Sequence, residues 1–502
     1  MTSLRHRTAW LLGVSRIHST DPDLARRDRF IQQLQARGIV VDSTRLSRWE
    51  TGHLPVASTV IAAYEQVLDL APGQLTLGAT ALIPTSDMPP PGRGHVEHDT
   101  HAVHERLDAL FIQVLAGRAP GHLWIELAEL LTRHHHLYLL PATWAQTADL
   151  LAQELGRSTG LAYLSRFKSL RLLVAHPDSR RAAVRAIGSI VTNPATEFVT
   201  HPLVLLQEVD DPQANDLLLR LLSDSPSHRR AGASWALTGK LQRGQLNEVE
   251  LDRVTTTATE ILRCSRSMLQ SIDALNIYLQ LPLLHQARLM RSISDTETRA
   301  ALEMASTQAE ISHPETARSV SARMATTVQE RTHTPHAVDP DPMLQRLIRE
   351  AFFHVCHARR HQAALLLAAS PYRGQLGAPL LLHAGNADEL MAVAAMTTMT
   401  YVADEAHRAS LLERGLTDHR LPVRVAALMA LSQVVGSVSP VEAHRLRLAM
   451  PSNGPLRTAT MHVLGIGAAT LLPGIDGGEG PVAQAPRWWG GSGAIAEPMV
   501  RS

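Results

Sequence analysis

The stretch of sequence that decides the fold at the start of this chain is Asp42-Ser43-Thr44-Arg45-Leu46-Ser47-Arg48-Trp49-Glu50-Thr51-Gly52. Asp42 or Ser43 can cap the first amides of a helix, and Gly52 can end that helix in the left-handed conformation. Leu46 and Trp49 are three residues apart, so both side chains turn toward the same inner side. The stretch therefore predicts a short helix with both ends marked.

Five polar side chains are left for the outer surface of this predicted helix. They are Ser43, Thr44, Arg45, Ser47 and Arg48. The shorter ones stand at the helix start, where the helix dipole favours a phosphate, and the longer ones follow. This is the layout of a recognition helix that enters the major groove, so we predict these five residues as the DNA-binding set.

The flanking sequence predicts further helices around this one. Upstream, the apolar spacing indicates an amphipathic helix from Leu24 to Arg37 that ends at Gly38. Downstream, Pro55 would start another helix and Pro72-Gly73 a last short one. Three upstream arginines are weaker candidates for phosphate contact: Arg26, Arg27 and Arg37. Residues 1–53 contain nine Arg against five acidic residues, whereas the whole chain has a net charge of only +1. Any contact with DNA must therefore come from a local patch.

The sequence Ser47-Arg48-Trp49-Glu50-Thr51-Gly52, followed by Pro55, resembles the core motif of the Cro/phage-repressor (XRE) family of helix-turn-helix domains. The resemblance covers about 75 residues. It implies that residues aligned with Ser43, Thr44, Arg45 and Arg48 touch bases or phosphates, and that Glu50 supports the fold.

The turn before the recognition helix departs from the family pattern. Seven residues separate Gly38 from Leu46, where the family usually has about five. We expect Ile39, Val40 and Val41 to fill the extra length by packing under the recognition helix.

The rest of the chain predicts an all-α protein, because apolar residues recur with helical spacing and no strand pattern stands out. The predicted parts are a helix-turn-helix domain at 1–80, a Pro/Gly-rich linker at 81–100, a helical repeat domain at 101–472 with a possible break at 326–343, and a disordered tail at 473–502. A chain of 502 residues is too long for one compact core.

Internal similarity indicates that the middle region is a HEAT-like α-solenoid. Arg180–Ile187 is echoed by Arg230–Leu237, and each is predicted to be the second helix of a pair. Arg424–Leu431 is echoed by Arg457–Leu464 with a period of 33 residues. An irregular bundle of alanine-rich helices is the alternative interpretation.

The search for catalytic and cofactor motifs is negative. The sequence has no phosphate-binding glycine loop, no GxSxG, no HExxH and no convincing carboxylate pair, so we expect neither an enzyme nor a cofactor. The histidines His95, His98, His101 and His104 recur every third residue, but such spacing drifts around a helix and favours no metal site. Trp488-Trp489 is either an aromatic anchor for a partner or part of the unstructured tail.

These observations favour a transcription regulator that binds double-stranded DNA as a homodimer, because one small module makes few DNA contacts. The helical domain would provide dimerisation and is a candidate site for a peptide, metabolite or protein ligand. Two widely spaced cysteines and the lack of a signal peptide or membrane span indicate a cytoplasmic protein. Nearly all cationic residues are Arg, with Lys168 and Lys240 the only lysines, which is typical of a GC-rich bacterial genome. A protein-interaction scaffold and a HEAT-like DNA glycosylase are the alternative functions.

Overall fold

The computed structural model describes residues 4–80, 100–116, 119–134, 139–156, 158, 160–193, 196, 199–224, 227–332, 341–434 and 438–466. Throughout these ranges the chain forms helices and no strand, and an isolated antiparallel bridge pairs Glu310 with His354. The predicted all-α class is confirmed. None of the helices in the described part is long and apolar enough to span a membrane.

The first six helices form a compact unit, here called the N-terminal module (residues 4–80). They are α1 (Leu4–Ile17), α2 (Pro22–Ala25), α3 (Arg27–Ala36), α4 (Ser43–Glu50), α5 (Ser58–Val67) and α6 (Gln74–Thr80).

Two boundaries in this module differ from the predicted ones. The helix expected from Leu24 to Arg37 is interrupted at Arg26, whose extended backbone (φ −78°, ψ 129°) separates α2 from α3. The helix expected to start at Pro55 begins instead at Ser58, because residues 55–57 are extended or irregular. Gly38 has φ +79°, which lets the chain turn sharply after α3 as expected.

The next twelve helices form the first block (residues 100–308). They are α7 (Thr100–Leu115), α8 (Gly121–Arg133), α9 (Pro141–Gly156), α10 (Gly160–Ala175), α11 (Pro177–Thr192), α12 (Thr200–Val204), α13 (Pro212–Asp224), α14 (Ser227–Gln242), α15 (Glu248–Cys264), α16 (Met268–Tyr278), α17 (Leu283–Ser292) and α18 (Thr296–Gln308). A 3-10 turn at Leu205–Glu208 continues α12.

The last nine helices in the described part form the second block (residues 314–466). They are α19 (Pro314–Arg331), α20 (Pro342–Phe353), α21 (His357–Ala369), α22 (Arg373–Ala384), α23 (Glu389–Val402), α24 (Arg408–Thr417), α25 (Leu421–Val434), α26 (Pro440–Leu448) and α27 (Gly454–Ile466). A 3-10 turn at Glu405–His407 precedes α24.

Helices of the first block pack on their next-but-one neighbours and so form two ranks. α8, α10, α12, α14 and α16 follow one another in one rank, and α9, α11, α13, α15 and α17 follow in the other. Arg180–Ile187 lies in α11 and Arg230–Leu237 in α14, so these similar segments occupy different ranks. Each helix also packs on the one before it, α11 on α10 and α14 on α13. The assignment of both segments as second helices of repeat pairs stays a prediction.

The C-terminal similarity coincides with a regular arrangement. α23, α25 and α27 begin at Glu389, Leu421 and Gly454, which are 32 and 33 residues apart, and each packs on the next. Because Ala395, Ala427 and Ala459 are buried where these helices meet, the helix backbones can approach closely. The HEAT-like assignment of the whole region stays a prediction.

The buried hydrophobic side chains of the described residues form two cores. One core extends from Val103 to Ile311 and also includes Val355 of the second block. The other joins the second block, from Ala317 onward, to the interior of the N-terminal module. The cores therefore separate near residues 311–317, N-terminal to the predicted break at 326–343, and the module packs on the block that is distant in sequence.

Candidate nucleic-acid interface

Helix α4 has the capped, two-sided structure that its sequence predicts. The Asp42 carboxylate accepts a hydrogen bond from the amide of Arg45 at 2.7 Å, which caps the helix. Leu46 and Trp49 are buried in the module core. Because Asp42 already occupies an amide at the helix start, a phosphate would bind there less readily than the helix dipole alone suggests.

The five predicted DNA-binding residues all lie on α4. Ser43, Thr44, Arg45 and Arg48 are exposed, whereas Ser47 is partly buried. The guanidinium of Arg45 donates to the carbonyl of Val40 at 3.1 Å and lies 5.3 Å from the Trp49 ring centroid. Arg45 is thus held against its own module, which leaves Arg48 as the arginine of α4 that projects without a described side-chain contact.

The long turn before α4 is filled differently from the expectation. Val41 is buried and Ile39 packs partly against the core, but Val40 is 80% exposed. The prediction for Val40 is therefore wrong. The Gln35 side chain donates to the carbonyl of Val41 at 2.8 Å, so a side chain from α3 fixes the turn from one side while Val40 turns outward.

A buried ion pair sets the position of α4 against α1. Arg16 donates two hydrogen bonds to the Glu50 carboxylate, at 2.7 and 2.8 Å, and both side chains are at most 7% exposed. The Tyr64 hydroxyl adds a bond to Glu50 at 3.3 Å. Burial and then the charge of Glu50 raise the pKa of Tyr64 well above its usual value. Through these contacts Glu50 joins α4 to α1 and α5.

The three candidate phosphate-binding arginines lie on the surface of the N-terminal module, at the two ends of α3. Arg26, Arg27 and Arg37 are all exposed; Arg26 is 3.4 Å from Asp28, and Arg37 donates to Gln33 on its own helix. Between residues 4 and 53, seven Arg and four Asp are exposed. The excess of positive charge that a partner would meet is therefore smaller than the composition indicates, because Arg7 and Arg16 are buried in ion pairs.

The module is fixed to the second block by a buried charge pair that the sequence analysis did not predict. Arg7 on α1 is fully buried and donates to both carboxylate oxygens of Glu350 on α20, at 2.8 and 2.6 Å. Burial alone would raise the pKa of Glu350, but Arg7 and Arg346 lower it below its usual value. The pair thus remains charged and joins segments 343 residues apart.

A second polar contact lies beside the first. The Trp10 indole donates to the Asp341 carboxylate at 2.7 Å, and the Tyr372 hydroxyl donates to the same oxygen at 3.3 Å. His18 reaches that hydroxyl at 3.1 Å. Together with Arg7, these side chains attach both ends of α1 to the second block while the exposed surface of α4 points elsewhere.

The remaining candidate sites receive little support. His95, His98 and Trp488-Trp489 fall outside the described residues. His101 and His104 are exposed on α7, and His101 lies 3.2 Å from Glu105. Within the described ranges, no group of three or more His, Cys, Asp or Glu side chains is arranged to hold a metal ion. Comparison of the sequence with protein-family models and with curated proteins gives no match.

Proposed function

We propose that this chain is a sequence-specific transcription regulator that binds double-stranded DNA through α4 of its N-terminal module. The observation that carries the proposal is the division of α4 into a buried side, formed by Leu46 and Trp49, and an exposed polar side. The exposed side carries short hydroxyl side chains at the helix start and an outward arginine, Arg48. Such a helix fits the major groove, where arginine can pair with the edge of guanine.

The module offers few contacts, so the regulator acts as a homodimer that places two modules on neighbouring half-sites. The helical blocks provide the dimer contact and receive an effector or partner, which is a peptide, a metabolite or a protein. To change DNA occupancy, that ligand must bind one arrangement of the modules more tightly than another.

The test is selection of sequences from a random pool of double-stranded DNA by the full-length protein. Arg48→Ala is the informative variant, because Arg45 is held by Val40 and Trp49. Arg291→Ala removes an exposed arginine of α17 and serves as a control with the same change in charge.

The proposal predicts enrichment of an inverted repeat, a loss of about 10-fold in affinity for Arg48→Ala, and little change for Arg291→Ala. Affinity should also fall steeply as salt is raised. If no motif is enriched and both variants behave like the parent, the DNA-binding proposal is wrong and a protein-interaction scaffold becomes the better explanation.

A further inference from the structure

The two helical blocks touch each other across a cluster of aromatic and imidazole side chains. His201 on α12 lies 4.4 Å, ring to ring, from His361 on α21. Trp235 on α14 contacts the same His361 ring at 5.2 Å. The Tyr401 hydroxyl on α23 bonds to His361 at 2.5 Å and reaches His201 at 3.5 Å. This group is called the junction cluster.

A polar pair extends the junction cluster along α21. His357, one turn before His361, bonds to the Asp273 carboxylate of α16 at 2.9 Å. Arg360 lies against the other nitrogen of His357 at 2.5 Å and donates to the Val355 carbonyl at 2.9 Å. His357 and His361, both in the first five residues of α21, thus contact the first block directly.

The other end of the same helix carries the N-terminal module. Gln74 on α6 donates to the carbonyl of Ala369 at 3.3 Å, and a Cβ atom on Gly78 would lie 2.7 Å from the Ala369 methyl group. α6 also packs on α10 of the first block. The Glu65 carboxylate holds the start of α6 through the amides of Leu75 and Thr76, both at 2.7 Å.

One face of α21 joins these two sites. His357, His361, Leu365 and Ala369 are spaced four residues apart, which places them along a single slowly turning face. The distance from His357 to Ala369 along the axis is about 18 Å at 1.5 Å per residue. Helix α10 likewise contacts both the junction cluster and the N-terminal module. Its Tyr163 side chain bonds to His201 at 2.9 Å, and α6 packs on α10.

Two of the junction histidines keep a hydrogen-bond partner within their own block when the junction opens, whereas His357 loses Asp273. His201 bonds to Tyr163 within the first block, and His361 bonds to Tyr401 within the second block. Separation of the blocks would expose these pairs to water and would break only the contacts across the junction. An interface in which some of the polar groups keep a partner on their own side opens more easily than an apolar core.

We propose that α21 couples the contact between the two blocks to the docking of the N-terminal module, so that a change at the junction cluster alters how firmly the module is held. Helix α6 packs against both α10 and α21, so its contacts change when these two helices separate. The regulatory use of this coupling rests on the proposed function; the coupling itself can be measured without DNA.

The experiment is amide hydrogen exchange on the full-length protein with two pairs of variants. Asp273→Asn weakens the junction from the side of α16, and Asp252→Asn is its control, because Asp252 pairs with Arg288 inside the first block. Gly78→Leu forces α6 away from Ala369, and Gly374→Leu is its control, because a Cβ on Gly374 meets nothing within 4 Å.

Coupling predicts that Asp273→Asn accelerates exchange in α1 and α6 by about 10-fold, and that Asp252→Asn does not. Because coupling is reciprocal, Gly78→Leu should accelerate exchange in α12 and α23, unlike Gly374→Leu. Exchange changes confined to α16 and α21 for Asp273→Asn, or to the module and α21 for Gly78→Leu, would overturn the proposal. If Asp273→Asn accelerates exchange throughout the chain, the exchange rates of α12 and α23 in Gly78→Leu decide between coupling and its absence.

Discussion

The Arg7–Glu350 pair provides the sharpest test of how the N-terminal module is held. The guanidinium of Arg7 has no solvent exposure, and among the described residues its Nε and Nη1 atoms have no hydrogen-bond partner. Glu350→Gln would keep the shape but leave a buried cation without a counter-charge. Breaking a buried pair in this way costs about 3–5 kcal/mol. Arg346, the other partner of Glu350, is 41% exposed and can be solvated.

The expected result is loss of docking, not loss of the whole fold. Where the α1 amides exchange with solvent through undocking of the module, a cost of about 3 kcal/mol increases their exchange rate about 100-fold. The double variant Arg7→Met/Glu350→Leu removes both charges and should restore slow exchange, because an apolar pair of similar size is neutral or better. Unchanged exchange in Glu350→Gln, or a double variant as open as the single one, would refute this account of docking.

Two further predictions concern the buried ionisable groups. Glu50→Gln removes the counter-charge of Arg16 and should destabilise the module by about 3 kcal/mol. Thermal unfolding should then begin at a lower temperature, and DNA binding should be lost. A variant of α4 that lacks only a DNA contact should unfold at the same temperature as the parent. Burial lowers the pKa of His201 to about 4, so the stability it contributes is complete above about pH 6.5 and is lost as the pH falls toward 4. At pH 5 the free energy of unfolding is lower by about 2 kcal/mol. The urea midpoint of His201→Phe should therefore fall less between pH 7.5 and pH 5 than that of the parent.

Local patterns predicted the module well, because its helices are specified by residues close in sequence. The cap at Asp42, the buried pair Leu46 and Trp49, and the glycine turn at Gly38 are all short-range features. The break at Arg26 was missed because the apolar spacing of the segment continues through it. Val40 was misplaced because composition alone does not say which residue of a turn faces the core.

The docking contacts could not be predicted, because they join residues hundreds of positions apart. The sequence of α1 shows one apolar centre, around Trp10. That pattern does not indicate that the Trp10 indole bonds to Asp341. Arg7 looked like one more cation available to DNA, whereas it is buried against Glu350. An arginine between apolar helix positions is a signal for a buried pair, but no local pattern indicates which distant carboxylate is its partner.

The burial of Arg7 also bears on how the proposed regulator would work. With seven exposed Arg against four exposed Asp between residues 4 and 53, one module presents only a modest positive field. Useful affinity then depends on two modules that bind together, which requires their separation to match two half-sites. A module on a free linker would lose orientational entropy each time the pair bound, whereas a module fixed through α1 and α6 has already lost it. Docking to the second block is therefore the feature that would make a weakly basic module sufficient, and any effector that loosens it would lower DNA affinity without touching α4.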